Sequence, residues 1–169
     1  MTSLKNFYLQ NFPFHKTEIA YHYTNANPKP ILEQGFVSKR GIGQTYKNRL
    51  GFLYDKNIPF ENMLFVSSNP NEFSRDGRYC FTLDISGLEK YADYNHLCDF
   101  GVYYNDDDGM LWLNKEDMWN NNQDLIDFFD DHDGRIDVSE FSGDLSMELI
   151  NSCVVNGDLI DRKRIISVE

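Results

Sequence analysis

Two short segments of the sequence place a group that can do chemistry among aromatic or apolar neighbours. In Tyr21-His22-Tyr23-Thr24, an imidazole lies between two tyrosines at the end of a segment with strand composition. In Met147-Glu148-Leu149-Ile150, the apolar residues predict a strand that carries one carboxylate on its opposite face. An imidazole can hydrogen-bond a ligand, and a carboxylate can stabilise positive charge. The alternative for each is structural: a histidine bonded within the fold and a glutamate that faces solvent.

A cationic segment lies between these two. Residues 38–60 contain three glycines and five basic residues: Lys39, Arg40, Lys47, Arg49 and Lys56. This composition predicts a long loop with one helical turn, in a position to contact an anion. Arginine suits that role because its planar guanidinium matches the oxygens of a phosphate. The alternative is a solvated surface loop without a ligand.

The elements that must position these groups are clear in the first half of the chain. The helix signals are Asn27 as the N-cap, Pro28 in the first turn and Gly35 as the C-terminal stop. Phe36-Val37 restarts an extended segment, and Asn69-Pro70-Asn71-Glu72-Phe73 predicts the start of a short helix. The predicted strands of this half are 18–23, 63–67 and 79–84.

The second half predicts more strands. A hairpin over 101–113 turns at Asn105-to-Gly109, and Asn114 caps a helix that runs to about Phe129. Extended segments follow at 135–138, 147–150 and 164–168. About seven strands and three helices in this order indicate the α+β class, built on two mostly antiparallel sheets with a few flanking helices. The length of 169 residues predicts a single domain, 1–169.

Charge is divided unevenly along the chain, and this bears on partners. Residues 1–83 carry a net charge of +4, and residues 84–169 carry −15. An acidic second half disfavours contact with nucleic acid and with anionic membranes. The chain has no apolar run of membrane-spanning length and no signal-peptide core at its start, so we expect a cytoplasmic protein. The three cysteines lack the spacing of a disulfide framework or a zinc site.

An acidic run at residues 130–141 resembles a calcium loop in its ligand types. With Gly134 at loop position 6, carboxylates fall at positions 3, 5, 9 and 12: Asp131, Asp133, Asp137 and Glu140. Position 1 is Phe129, which is not a ligand, and the sequence offers no second loop to pair with this one. We therefore interpret the run as an acidic turn between a helix and a strand, and we expect no metal site.

The order of these motifs resembles that of the ADP-ribosyltransferase fold, in particular the toxin-type enzymes and bacterial enzymes that modify DNA bases. The resemblance rests on Tyr21-His22-Tyr23-Thr24, the helix with Ile31-Leu32-Glu33-Gln34-Gly35, the basic loop and Leu64-Phe65-Val66-Ser67-Ser68. The closing segment around Glu148 is also similar, and the whole covers about two thirds of the chain. It implies an ADP-ribosyltransferase-like domain that uses NAD as substrate.

The resemblance implies a role for each matching residue. His22 would bond the adenosine ribose, the backbone at Tyr23 would pair with the nicotinamide amide, and Thr24 would support that turn. Phe65, with Leu64 as the alternative, would stack on nicotinamide. Arg40 or another cation of the loop would hold the pyrophosphate. Glu148 would stabilise the charge that develops as nicotinamide leaves, with Asp137, Glu140 and Asp144 as nearby alternatives.

The function implied is transfer of ADP-ribose from NAD to a macromolecular acceptor, in the manner of a toxin or a phage-type effector. The acidic second half favours a protein acceptor over nucleic acid. A different class of function is an inactive ADP-ribosyltransferase-like protein whose acidic face occupies a basic surface of a partner. Binding of NAD without any transfer of its ADP-ribose would favour the second function.

Overall fold

The computed structural model describes residues 18–36 and 49–169. These residues form two compact units, each assembled from segments that lie apart in the sequence. The first unit takes in residues 18–36, 62–89 and 155–169, and the second takes in 49–61 and 90–154. The single domain over 1–169 stays a prediction.

The described residues contain eight strands and five α-helices. The strands are β1 (Ile19–Thr24), β2 (Met63–Ser67), β3 (Tyr79–Asp84), β4 (Val102–Asn105), β5 (Met110–Leu113), β6 (Arg135–Asp137), β7 (Ser152–Asn156) and β8 (Ile165–Val168). The helices are α1 (Pro28–Gln34), α2 (Phe52–Asn57), α3 (Tyr94–Asp99), α4 (Gln123–Asp130) and α5 (Gly143–Ile150). None of these helices is long and apolar enough to cross a membrane.

Strand β1 lies at the centre of a five-stranded sheet with the order β7-β2-β1-β3-β8. It pairs antiparallel with β3 along its whole length, from Ile19–Asp84 to Thr24–Tyr79, and antiparallel with β2 at Tyr21–Ser67. Strand β3 pairs antiparallel with β8. The predicted strands at 18–23, 63–67, 79–84 and 164–168 are confirmed to within one residue.

The signals that predict helix α1 are also confirmed. The Asn27 side chain accepts a hydrogen bond from the backbone N–H of Lys29 at 3.1 Å, and Pro28 is the first helical residue. Gly35 ends the helix with φ of 78°, and its N–H donates to the carbonyl of Ile31 at 2.7 Å. A Cβ on Gly35 would overlap the backbone of Ile160, so only glycine fits this turn.

The second unit contains a three-stranded antiparallel sheet with the order β4-β5-β6. The predicted hairpin is confirmed, with Val102 opposite Leu113 and Asn105 opposite Met110. Strand β6 adds to β5 with Ile136 opposite Leu111, and both of those side chains are buried. The two sheets and their helices confirm the α+β class and the antiparallel pairing.

The helix predicted to start at Asn114 starts eight residues later. Asn114 instead caps a 3-10 turn over Lys115–Asp117, and Asn122 caps α4. The backbone N–H of Asn114 donates to the carbonyl of Gly101, and that of Trp119 donates to the carbonyl of Asp99. In a helix the N–H of Trp119 would donate to the carbonyl of Lys115, so its bond to Asp99 excludes a regular helix through 115–119.

The strand predicted at 147–150 is wrong, because these residues end helix α5. Ser142 caps the helix by accepting a hydrogen bond from the N–H of Leu145 at 3.2 Å. Gly143, Ser146 and Ile150 form its buried face at helical spacing. Gly143 packs so closely on the backbone of Lys90 that a Cβ would overlap it. The strand begins only after the helix, at Ser152.

The other departures are local. Residues 69–73 form a turn rather than a helix start, since the Asn69 side chain accepts the backbone N–H of Asn71 at 2.9 Å. The helical turn expected in the cationic loop is helix α2. The extended segment at Phe36-Val37 is a turn at Phe36, while Val37 and the cations Lys39, Arg40 and Lys47 lie outside the described residues.

A buried carboxylic acid organises the core of the second unit. Asp93 accepts hydrogen bonds from the Tyr54 hydroxyl at 3.0 Å and from the N–H of His96 at 3.1 Å, which caps helix α3. Its own N–H donates to the Ser146 hydroxyl at 3.0 Å. Burial raises the pKa of Asp93, and the nearby His96 together with these hydrogen bonds offsets only part of that effect.

The raised pKa of Asp93 predicts how stability changes with pH. The folded protein keeps a proton on Asp93 at pH values where the unfolded chain has lost it, so the contribution of this group to the free energy of unfolding falls as pH rises above about 4. We expect Asp93→Asn to flatten this dependence. The measurement is urea unfolding at a series of pH values from 3 to 7.

The control for this experiment is Asp137→Asn. Asp137 is hydrogen-bonded to the hydroxyl and N–H of Ser139, and these bonds lower its pKa. The stability that it contributes is therefore lost as pH falls, the opposite sign to that of Asp93. An Asp93→Asn variant with the same pH dependence as wild type would contradict the assignment.

Candidate functional site

His22 lies on the apolar face of the central strand. Side chains alternate along a strand, so His22 shares a face with Ala20 and with their partners on β3, Phe81 and Leu83. Ala20, Phe81 and Leu83 are fully buried, whereas His22 is half-buried. The imidazole is therefore the polar group on an otherwise apolar part of this face.

One hydrogen bond fixes the tautomer of His22. Its Nδ1 lies 2.7 Å from the carbonyl oxygen of Phe65 on β2. A carbonyl oxygen only accepts, so Nδ1 must carry the hydrogen, and the Nε2 of the neutral ring is then an acceptor. Burial lowers the pKa of His22, and the carbonyl bond counteracts this only in part, so the neutral ring is favoured. The ring is thus set to accept a hydrogen bond from a ligand hydroxyl or N–H group.

Tyr23 presents its side chain and its backbone in different directions. The hydroxyl donates to the carbonyl of Pro70 at 2.5 Å, and its pKa is raised, mainly by a hydrogen bond with the Cys80 thiol. Cys80 lies opposite Tyr23 in the register, yet its backbone N–H and C=O both pair with Glu169, each at 2.9 Å. In an antiparallel ladder, Tyr23 and Cys80 are then a non-hydrogen-bonded pair. The backbone groups of Tyr23 consequently point toward the β2 side of the strand.

Thr24 ends the strand and starts the turn into α1. Its hydroxyl oxygen accepts a hydrogen bond from the N–H of Ala26 at 3.1 Å. The side chain of Asn25 accepts the N–H of Arg78 at 2.9 Å, which ties the same turn to the segment before β3. The end of β1 is therefore held on both sides by local hydrogen bonds.

Phe65 meets His22 through its backbone rather than its ring. Tyr21 and Ser67 are opposite each other, so the alternation along β2 puts the Phe65 side chain on the face of Tyr21, opposite to that of His22. The Phe65 ring is half-buried there. The structure thus brings these two predicted site residues together as a carbonyl and an imidazole.

Glu148 lies exposed on helix α5, in the second unit. It belongs to the face of the helix away from Gly143, Ser146 and Ile150, which are buried. The secondary structure assumed for Glu148 is wrong, and its catalytic role stays a prediction. Of the alternative acids, Asp144 pairs with Lys90 at 3.2 Å, and Asp137 caps the turn at Ser139.

The proposed anion contacts are only partly described. Arg40 lies outside the described residues. Arg49 donates from Nη2 to the carbonyl of Val102 at 3.0 Å, and from Nε to the Cys98 sulfur at 3.2 Å. The Lys56 ammonium lies over the ring of Phe52, 5.2 Å from its centre. Both of these cations are engaged within the second unit.

The sequence does not predict the contact of Phe36 with His22 or that of Asn62 with Phe36. The Phe36 ring meets the imidazole edge-to-face at 5.3 Å, and the Asn62 side chain donates to the Phe36 carbonyl at 2.7 Å. The sequence marks Phe36 only as the residue after a helix stop. Nothing in the sequence signals Asn62, whose partners lie 26 and 96 positions away.

Within the acidic run at 130–141, residues 131–134 form the turn between helix α4 and strand β6. Asp133 and Gly134 both have left-handed backbone angles, with φ of 58° and 80°, and β6 follows at once. Across residues 18–36 and 49–169, no group of three histidine, cysteine or acidic side chains is arranged to hold a metal ion.

Comparison with known proteins gives no match: no family model, no curated protein and no solved structure is significantly similar to the chain. The resemblance to ADP-ribosyltransferases therefore stays a prediction from the sequence motifs.

The geometry of Phe65 leads to a prediction about NAD binding. If Phe65 acts through its carbonyl, Phe65→Leu should leave the affinity for NAD within about twofold of wild type, since any residue supplies that oxygen. A stacked ring would instead contribute about 1–3 kcal/mol, and its loss would weaken binding at least about fivefold. Calorimetric titration with NAD distinguishes the two, with Phe128→Leu in the second unit as the matched control.

Proposed function

We propose that the chain binds NAD against strand β1 and transfers its ADP-ribose to a macromolecular acceptor. The observation that carries this proposal is the state of His22. The bond from Nδ1 to the Phe65 carbonyl leaves Nε2 as an acceptor on a half-buried ring. A ribose hydroxyl is a donor of the matching type, and the apolar surroundings strengthen such a bond.

The resemblance implies a second contact, at the backbone of Tyr23. Its N–H and C=O point to the side of β2, whose pairing with β1 is registered at Tyr21–Ser67. A carboxamide carries one acceptor and a donor pair, so it can bond to a backbone C=O and N–H as a neighbouring strand would. We assign this position to the amide of nicotinamide, with Thr24 holding the turn beyond it.

The proposed reaction breaks the bond between C1′ of the ribose and the ring nitrogen of nicotinamide. Nicotinamide leaves as a neutral molecule with the bonding electron pair, and positive charge develops on the sugar. A nucleophilic oxygen or nitrogen of the acceptor forms the new bond to C1′ and loses its proton. A carboxylate near the sugar stabilises the developing charge. The resemblance assigns this carboxylate to Glu148, and its contribution is tested separately from binding.

Charge supports a protein rather than a nucleic acid as acceptor. The described residues of the second unit carry 5 Lys and Arg against 18 Asp and Glu, a net charge of −13. Those of the first unit carry 6 against 9, a net charge of −3. Phosphate backbones are repelled by such a surface, whereas a basic protein surface is attracted to it.

The same charge supports a second candidate, an acidic protein that occupies a basic surface of a partner without chemistry. Trp119 favours it, because this residue is 79% exposed in the acidic second unit and follows Glu116 and Asp117 by three and two positions in the sequence. Exposed tryptophan is frequent among the residues that dominate interface energies. In this candidate the geometry at His22 is a structural feature of the first unit.

The first proposal predicts label transfer from NAD. With radiolabelled NAD and cell lysate, we expect wild type to transfer label to protein. His22→Ala should weaken NAD binding at least about fivefold, the value of one hydrogen bond of about 1 kcal/mol. Glu148→Gln should retain NAD affinity and lose on the order of 100-fold in kcat.

The matched control is His132→Ala. His132 also bonds through Nδ1 to a backbone carbonyl, that of Phe128 at 2.7 Å, but it lies in the second unit. The His132→Ala variant should bind NAD with the affinity of wild type. Absence of both label transfer and NAD hydrolysis would refute the enzyme, and absence of NAD binding would refute the site. NAD binding without transfer in wild type would leave a nucleotide-binding protein.

The second candidate predicts a salt-dependent interaction. A fluorescent peptide rich in Lys and Arg should bind wild type at 50 mM salt and bind at least about tenfold more weakly at 200 mM salt, because screening weakens charge contacts. Trp119→Ala should weaken binding further, whereas Leu159→Ala should not, although Leu159 is 53% exposed in the first unit. Equal binding of all three proteins at both salt concentrations would contradict this candidate.

A further inference from the structure

Phe36 is held by contacts on four sides. Its N–H donates to the carbonyl of Ile160 at 2.7 Å, and its carbonyl accepts from the Asn62 side chain at 2.7 Å. Its ring meets the His22 imidazole edge-to-face at 5.3 Å and 89°, and the Phe81 ring at 5.1 Å and 76°. Phe36 lies in a turn, and these four contacts with residues far away in the sequence fix its position.

Asn62 links Phe36 to the end of the chain. The same side-chain nitrogen donates to a carboxylate oxygen of Asp158 at 2.9 Å. The backbone carbonyl of Asn62 accepts a hydrogen bond from the N–H of Gly157 at 2.7 Å. The side chain of Asn62 is almost entirely buried. The position of Phe36 is therefore determined by segments around 62 and 157–160 rather than by helix α1 alone.

The imidazole needs such a contact to have one orientation. The bond to the Phe65 carbonyl fixes Nδ1, but the second side-chain torsion of histidine has a broad energy minimum. The ring could turn about its Cβ–Cγ bond. Such turning would weaken the Nδ1 hydrogen bond and point Nε2 in a range of directions. An aromatic edge against the imidazole plane limits this turning, since perpendicular rings are the favoured arrangement.

We propose that Phe36 is a positioning residue for His22, which holds the imidazole in the orientation that presents Nε2 to the ligand. This inference rests on the proposed function for its consequence, because a ribose hydroxyl is the ligand group concerned. The arrangement itself is a property of the free protein. Asn62 contributes by fixing the backbone from which the Phe36 ring extends.

The test is nitrogen NMR of the histidine rings in the full chain, which reports the tautomer of each. In wild type, His22 should be in the Nδ1–H form. In Phe36→Leu, a ring that turns more freely spends less time with Nδ1 against the Phe65 carbonyl, so the His22 signals should move toward the average of the two tautomers. Phe36→Tyr, which keeps the ring edge, should restore the wild-type signals. The affinity for NAD should fall roughly 2- to 10-fold in Phe36→Leu, the range of one edge-to-face contact.

The second unit supplies an internal control. Phe128 contacts the ring of His132 at 4.5 Å, and the His132 Nδ1 also lies against a carbonyl oxygen. Phe128→Leu should change the signals of His132 and leave those of His22 unchanged, and unchanged His132 signals in Phe36→Leu show that the second unit is folded. If Phe36→Leu does not fold, Phe36→Met, which also lacks the ring edge, replaces it in the same comparison.

Two results would overturn the inference: an Nε2–H tautomer at His22 in wild type, or His22 signals in folded Phe36→Leu that equal those of wild type. The proposed function fails differently. If the histidine spectra behave as expected but NAD at millimolar concentration never binds wild type, the positioning by Phe36 holds and the NAD site is wrong.

Discussion

The hydrogen bond between His22 Nδ1 and the Phe65 carbonyl is the interaction on which the account of the first unit depends. It joins the central strand β1 to β2 beyond their registered pair, Tyr21–Ser67. It also decides which ring nitrogen carries the hydrogen, and so turns a half-buried histidine into an acceptor. The surrounding contacts, from Phe36 and through it from Asn62, hold the ring in place around this bond.

The two units differ in what they offer to a partner. The first presents a polar group on an apolar sheet face, which suits a small ligand with few, well-placed hydrogen bonds. The second presents a charge of −13 over its described residues and an exposed tryptophan, which suits a basic macromolecule. The two proposed functions assign importance to different units.

Local signals were sufficient for much of the fold. The cap at Asn27, the proline at Pro28 and the glycine at Gly35 define α1 within one stretch of chain, and the hairpin at 102–113 is equally local. Strand β1 and its partners carry aromatic and β-branched residues without competing helix signals. In such segments the local preference and the final structure agree.

The failures occur where distant segments decide the structure. Backbone hydrogen bonds keep residues 114–119 out of the helix that the sequence favours. They run from the N–H groups of Asn114 and Trp119 to the carbonyls of Gly101 and Asp99. The packing of Gly143 on Lys90 and the buried Ser146 make 143–150 a helix despite its apolar ending. For the proposed site, the motif predicts His22, whereas Phe36 and Asn62 are linked to it only through contacts between segments that lie far apart in the sequence. The contact between Phe65 and His22 could not be predicted from the side chain of Phe65, because it is made by the backbone oxygen.

The most direct measurement is a titration of the wild-type protein with NAD, monitored by NMR of the His22 and His132 ring nitrogens. We expect a saturable shift of the His22 Nε2 signal, because an acceptor gains a hydrogen bond, and no change in the His132 signals. A His22 signal that stays constant at saturating NAD would contradict the claim that this histidine binds the dinucleotide.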